Sequence, residues 1–136
     1  MSEFLFVYGT LRRHFIQNQR LQQHAEFIAE ASMRGRLYLL DGYPGAVDST
    51  DFADNVQGEL YRIRRLTALF AILDDYEQCS AKFAKPHEYH RQQRSVRLAD
   101  GRQFQAWVYL YNWDIRQLAQ IISGDFLGRD SVRFQE

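Results

Sequence analysis

FLFVYGTLRRH, residues 4–14, opens with five consecutive apolar or aromatic β-formers and breaks at Gly9-Thr10, ahead of two arginines. An apolar run with no polar alternation predicts a strand covered on both faces. Such a strand needs a layer on each side, so the fold is set by what the rest of the chain can supply. Gly9 permits a positive φ or a close backbone approach. Gly-Thr-Leu after a strand can also turn successive N–H groups inward as an anion-binding concavity. A plain turn fits the same letters, and the loop gains meaning only if other residues converge on it.

Residues Arg12 to His24 are polar with scattered Phe15, Ile16 and Leu21, which predicts a loop holding a short helix. Met33 to Leu40 reads as a second strand. Gly42 to Val47 (GYPGAV) reads as a turn leading into an extended piece. A polar loop (DSTDFADN) separates it from a strand over Val56–Ile63. Arg65 to Glu77 carries Leu66, Leu69, Phe70 and Leu73 at helical spacing. Glu88–Leu98 and Gln103–Tyr111 read as strands joined by the Asp-Gly signal of ADGR, residues 99–102. Asp114 is placed to cap a last short helix through Ile122, and the tail beyond it reads as irregular. Mostly strands with one firm helix predict an α+β fold, a small mixed β-barrel flanked by helices. The chain reads as a single domain over residues 1–136, with no repeat and no linker.

Charge narrows the partners. Lys plus Arg and Asp plus Glu both number 17, so the chain lacks the basic excess of a phosphate-backbone binder. No apolar run approaches the roughly 18 residues of a spanning helix, and the apolar start is too short for a signal-peptide core. Cys79 is the sole cysteine, which excludes an intrachain disulfide and fits a reducing compartment. The expectation is a cytoplasmic protein acting on a small molecule, with neither nucleic acid nor membrane as partner. Arg12, Arg13, His14 and Arg20 then read as a solvated loop, or as a rim that attracts a carboxylate-bearing molecule toward Gly9.

The helix singles out one carboxylate. Taking about 100° per residue with Leu66 at zero, Phe70 lies at about 40°, Leu73 at about 340°, Leu69 at about 300° and Glu77 at about 20°. Asp75 falls at about 180° and Asp74 at about 80°, away from the stripe. Glu77 is therefore either at a frayed helix end or in a partly dry site. A dry site raises a carboxyl pKa, as acid/base work near neutral pH requires. His87 and His90 would face opposite sides of a strand and share no ion, so no metal is expected. Cys79 lacks an activating neighbourhood, and the nucleotide and Gly-x-Ser-x-Gly signatures are absent.

Several short motifs stand in a recognisable order: VYGTLRR (7–13), GYPGAV (42–47), VQGELYRI (56–63) and LDDYE (73–77), then Tyr89 and Arg91, WVYLY (107–111) and SGDFL (123–127). This order resembles the gamma-glutamylcyclotransferase-like family, in particular its small bacterial members and the gamma-glutamylamine cyclotransferases. The resemblance spans Phe4 to about Leu127. It implies a barrel with helices packed on it. It also implies a reaction of transferase or lyase type, with no cofactor, in which the α-amine of a γ-glutamyl group attacks its own side-chain carbonyl. Release of 5-oxoproline and an amine, amino acid or peptide follows. It further implies that Glu77 is the acid/base and that Tyr8, Gly9, Thr10 and Leu11 bind the glutamyl head through backbone N–H groups, with Tyr43 and Tyr109 as pocket walls. Two departures stand out. Gln78-Cys79 replaces the glycine that follows the glutamate in many relatives, and the Gln78–Glu88 segment is long. The other reading is a catalytically silent small-molecule or protein-binding module that retains the pocket.

Overall fold

The computed structural model describes residues 3–128 and 132–134. Strand β1 (Phe4–Val7) is flanked on both sides, as its unbroken apolar run demands. Alternate side chains separate: Phe6 joins the barrel interior with Met33, Leu60, Val96 and Val108. Leu5 and Val7 face outward into a second cluster with Leu69, Phe70 and Leu73. The first cluster is the inside of the barrel. The second is the seam between the barrel and a helix.

Five strands close the barrel in the order β1-β5-β2-β6-β7, with β2 at Ala25–Arg34, β5 at Asn55–Ile63, β6 at Tyr89–Leu98 and β7 at Gln103–Tyr111. β1 lies antiparallel to β5 and parallel to β7, where Leu5 meets Trp107, so the barrel is mixed. A second sheet has the order β4-β3-β8-β9, with β3 at Arg36–Leu39, β4 at Pro44–Val47, β8 at Ala119–Ile121 and β9 at Val132–Phe134. Helix α1 is one turn, Gln19–Gln22. Helix α2, Leu66–Tyr76, buries Leu69, Phe70 and Leu73 against the barrel, and Phe70 meets Trp107 edge-on at 5.5 Å. Among the described residues no helix is long and apolar enough to cross a membrane.

Three expectations need correction. Met33–Leu40 is not one strand: β2 ends at Arg34 and β3 begins at Arg36, so the chain passes from barrel to second sheet at Gly35. β2 also begins eight residues earlier than Met33, within AEFIAEAS, whose Ala and Glu content gives little strand signal. Its pairing with β5 over the whole length, from Ala25 opposite Ile63 to Arg34 opposite Asn55, overrides that propensity. The expected helix after Asp114 is absent. Asp114 Oδ1 accepts the Arg116 N–H at 2.9 Å, a local turn, and the chain then enters β8 beside β3. Within the tail, Phe126–Gly128 forms a 3-10 turn and Val132–Phe134 is a strand paired with β8, while residues 129–131 and 135–136 lie outside the described set.

Candidate active site

The barrel end where β1 stops, the C-terminal end of α2 and the segment before β4 enclose a cavity of about 330 Å3. All of the residues singled out above line it: Tyr8, Gly9, Thr10, Leu11, Tyr43, Glu77 and Tyr109. Tyr76, Gln78, Glu88 and Tyr89 line it as well; Gln78 and Glu88 bound the long segment expected to lie beside the site, and none of the four was named as a site residue. Glu88 carried no local signal, because it closes an irregular segment and meets the cavity only through the fold.

The loop after β1 is tight. Arg12 N–H donates to Gly9 O at 3.1 Å, and Asn18 Nδ2 donates to Leu11 O at 2.7 Å. Among the described residues none accepts from the N–H groups of Gly9, Thr10 or Leu11, so these donors are available to a ligand. Gly9 is needed for proximity. A Cβ there would stand 2.6 Å from Pro44 Cγ, and its φ is not among the positive ones, so of the two uses a glycine permits here the fold takes the close approach.

The tyrosines are tied down rather than free. Tyr8 O–H donates to Tyr109 O at 2.6 Å and accepts from Ala46 N–H at 3.1 Å. Tyr89 O–H donates to Pro44 O at 2.7 Å, and Tyr109 O–H to Asp74 Oδ1 at 2.6 Å. Burial raises the pKa of Tyr8, Tyr89 and Tyr109, which removes them as proton carriers near neutral pH. Thr10 Oγ1 and Tyr76 O–H share a hydrogen bond of 2.6 Å, joining the loop to the last turn of α2.

Glu77 caps that helix at its C-terminus. Its N–H still donates to Leu73 O at 2.8 Å, so the helix is not frayed there. The side chain is partly buried at the cavity. Burial, and secondarily the charge of Glu88, push its pKa from 4.5 up to about 8. Glu88 is buried, and its Oε2 accepts from Tyr43 O–H at 2.7 Å. The residues lining the cavity include these two glutamates and no Lys, Arg or His. Cys79 is no competitor as nucleophile: burial, then Asp74 and Glu77, push its thiol up to about 12.

The basic stretch is exposed at Arg13, His14 and Arg20, as a solvated loop requires, and departs from that expectation at Arg12. Arg12 is 2% exposed, reaching Glu59 at 3.3 Å and Asp125 at 2.9 Å. It is a buried structural cation behind the loop and does not line the cavity. Arg13 is about half exposed and stacks on Phe27 at 4.2 Å. Arg20 lies over the Tyr76 ring at 4.7 Å. Among the described residues no three His, Cys, Asp or Glu side chains gather to hold a metal ion.

The family model for gamma-glutamyl cyclotransferase, AIG2-like proteins matches residues 5–128. The gamma-glutamylcyclotransferase family protein YtfP of Escherichia coli strain K12 is 36% identical over 127 residues, covering 93% of this chain and 97% of that one. The crystal structure of YkqA from Bacillus subtilis superposes with a TM-score of 0.69 at 30% identity, over 93% of this chain and 40% of that longer one. An AIG2-like protein of Mus musculus shares the fold, with a TM-score of 0.73 at 23% identity over 99% and 96% of the two chains.

Proposed function

The chain belongs to the gamma-glutamyl cyclotransferase, AIG2-like family, and from that premise we propose that it cleaves a γ-glutamyl amide by internal cyclisation, releasing 5-oxoproline and an amine. The observation that supports this reading is that Glu77 lines one cavity with Gly9, Thr10 and Leu11, whose N–H groups have no acceptor among the described residues. Ionised Glu77 takes a proton from the substrate α-ammonium. The freed amine nitrogen attacks the γ-carbonyl carbon, and the carbonyl π electrons move to oxygen. The loop N–H groups hold the α-carboxylate and the developing oxyanion. Protonated Glu77 passes its proton to the amide nitrogen, and the oxyanion electrons re-form the C=O bond as the C–N bond breaks. The second proton of the attacking nitrogen goes by way of Glu77 to the departing amine, so that a neutral lactam and an ammonium leave.

One carboxyl does both transfers because its pKa of about 8 lies close to the working pH. The enclosing walls hold the glutamyl chain bent, which supplies the proximity on which an intramolecular attack depends. Tyr43 and Tyr109 act as walls in this scheme, and the Tyr8 ring acts through the backbone it anchors. No cofactor has a role.

The test is 5-oxoproline release from a panel of γ-glutamyl amines, amino acids and peptides. Glu77→Gln is expected to lower kcat/KM by about 10²–10⁴-fold while retaining the folded circular dichroism spectrum. Wild-type kcat/KM should rise with pH toward about 8, as Glu77 loses its proton. Undiminished turnover by Glu77→Gln removes this residue from the mechanism. Ligand-induced stabilisation without turnover of any panel member favours a binding module instead.

A further inference from the structure

The cavity holds one charge that the cyclisation does not use. Glu88 is 7% exposed. It opens on the same space as Glu77, and its Oε2 is met by the Tyr43 hydroxyl. Its backbone is fixed: Asn112 N–H donates to Glu88 O at 2.7 Å, and Asn112 Nδ2 to His87 O at 3.1 Å. The carboxylate is therefore presented from a set position, not from a loose loop. A carboxylate this buried is ordinarily paired with a cation, yet the lining supplies none. The same chain shows the ordinary solution at Glu59, which is fully buried and meets Arg12 at 3.3 Å.

A γ-glutamyl substrate brings one positive centre, its α-ammonium, and the reaction assigns that to Glu77. Its α-carboxylate is assigned to the loop N–H groups. A second positive centre to face Glu88 can come only from the leaving amine. A leaving amino acid or peptide would instead bring a carboxylate into a space that already holds two, where poor solvation strengthens the repulsion. Resting on the cyclotransferase reading above, we propose that Glu88, held by Tyr43, is a specificity-determining residue that favours leaving amines bearing a second, cationic nitrogen and disfavours those bearing a carboxylate.

Three γ-glutamyl amides of one chain length test this: those of 1,4-diaminobutane, n-pentylamine and 5-aminopentanoic acid, ending in ammonium, methyl and carboxylate. Wild-type kcat/KM for 5-oxoproline release should favour ammonium over methyl by about tenfold or more, with carboxylate slowest. Glu88→Gln should bring ammonium and methyl to within about twofold of each other, and Glu88→Asp should keep the order. Equal wild-type turnover of ammonium and methyl amides overturns the assignment, as does an unchanged preference in Glu88→Gln. The wild-type ranking needs no variant, so a folding defect in Glu88→Gln leaves it decisive. Calorimetric binding of the same amides to Glu77→Gln separates the two claims. Ranked binding without wild-type turnover retains Glu88's role and removes the reaction. Turnover without ranking removes Glu88's role alone, and neither binding nor turnover overturns both.

Discussion

Two acidic regions flank the loop after β1, and they are built in opposite ways. Behind the loop, Glu59 is fully buried and surrounded by donors. Arg12 Nε lies 3.3 Å away, Arg13 N–H donates at 3.0 Å, Tyr61 O–H donates at 2.9 Å and His14 Nδ1 stands at 3.7 Å. In front of it, Glu77 and Glu88 share a cavity whose lining has no cationic side chain. Burial of a carboxylate is common to both regions, so burial alone does not mark a reactive site. The difference lies in the partner. Glu59 has its countercharge within the fold and bolts residues 12–14 in place. Among the described residues Glu77 and Glu88 have none, which leaves that place to a ligand.

Removing the countercharge behind the loop is the most damaging way to break the contrast. Arg12→Met leaves Glu59 buried among weaker partners, and a broken buried pair costs about 3–5 kcal/mol. Equilibrium denaturation measures it. Replacing both residues by apolar ones should recover much of the loss. A cost under about 1 kcal/mol for Arg12→Met would show that Glu59 does not depend on its cation, and the contrast would fall.

In front of the loop the sign reverses. Glu77 binds its proton more tightly in the folded chain, with a pKa of about 8, than at its ordinary value of 4.5. Its burial therefore costs no charge penalty below about pH 4.5, costs progressively more as pH rises, and levels off above about 8. At pH 7 the two values correspond to a penalty on the order of 3 kcal/mol. Glu77→Gln should accordingly stabilise the protein at neutral pH while lowering turnover by about 10²–10⁴-fold, and its stability advantage should vanish near pH 4. Thermal unfolding across pH reads this directly. A flat difference between pH 4 and 8 would mean that Glu77 is solvated.

The contrast was only half legible in the sequence. Period and composition located β1, α2 and the β6–β7 hairpin because each pattern is local. The wheel also placed Glu77 on the packed face of α2, where it caps the helix and opens on the cavity. Glu88 and Arg12 escaped for one shared reason. Their meaning lies in which residues the barrel brings beside them, Tyr43 and Glu77 for one, Glu59 and Asp125 for the other. The two strand misreadings, β2 before Met33 and β8 after Asp114, have the same origin. In both, pairing with a distant strand overrode a weak local preference.

The smallest expected effect sharpens the picture of the cavity wall. α2 ends in a Schellman turn: Cys79 N–H donates to Asp74 O at 2.8 Å and Gln78 N–H to Asp75 O at 3.1 Å. The residue between helix and exit, Gln78, takes φ 58, a left-handed conformation that suits glycine. A side chain there costs about 1–2 kcal/mol. Glycine would relieve that cost but return about 0.4–1 kcal/mol to the unfolded chain. Gln78→Gly should therefore stabilise the protein by about 0.5–1 kcal/mol, well short of the gain from Glu77→Gln. It should also alter the cavity rim, because Gln78 is one of the residues that line it. A destabilising Gln78→Gly would mean that the amide side chain makes a compensating contact at the rim. The cavity wall would then be held by that contact, and the strain at Gln78 would be offset within the fold, as the charge of Glu59 is.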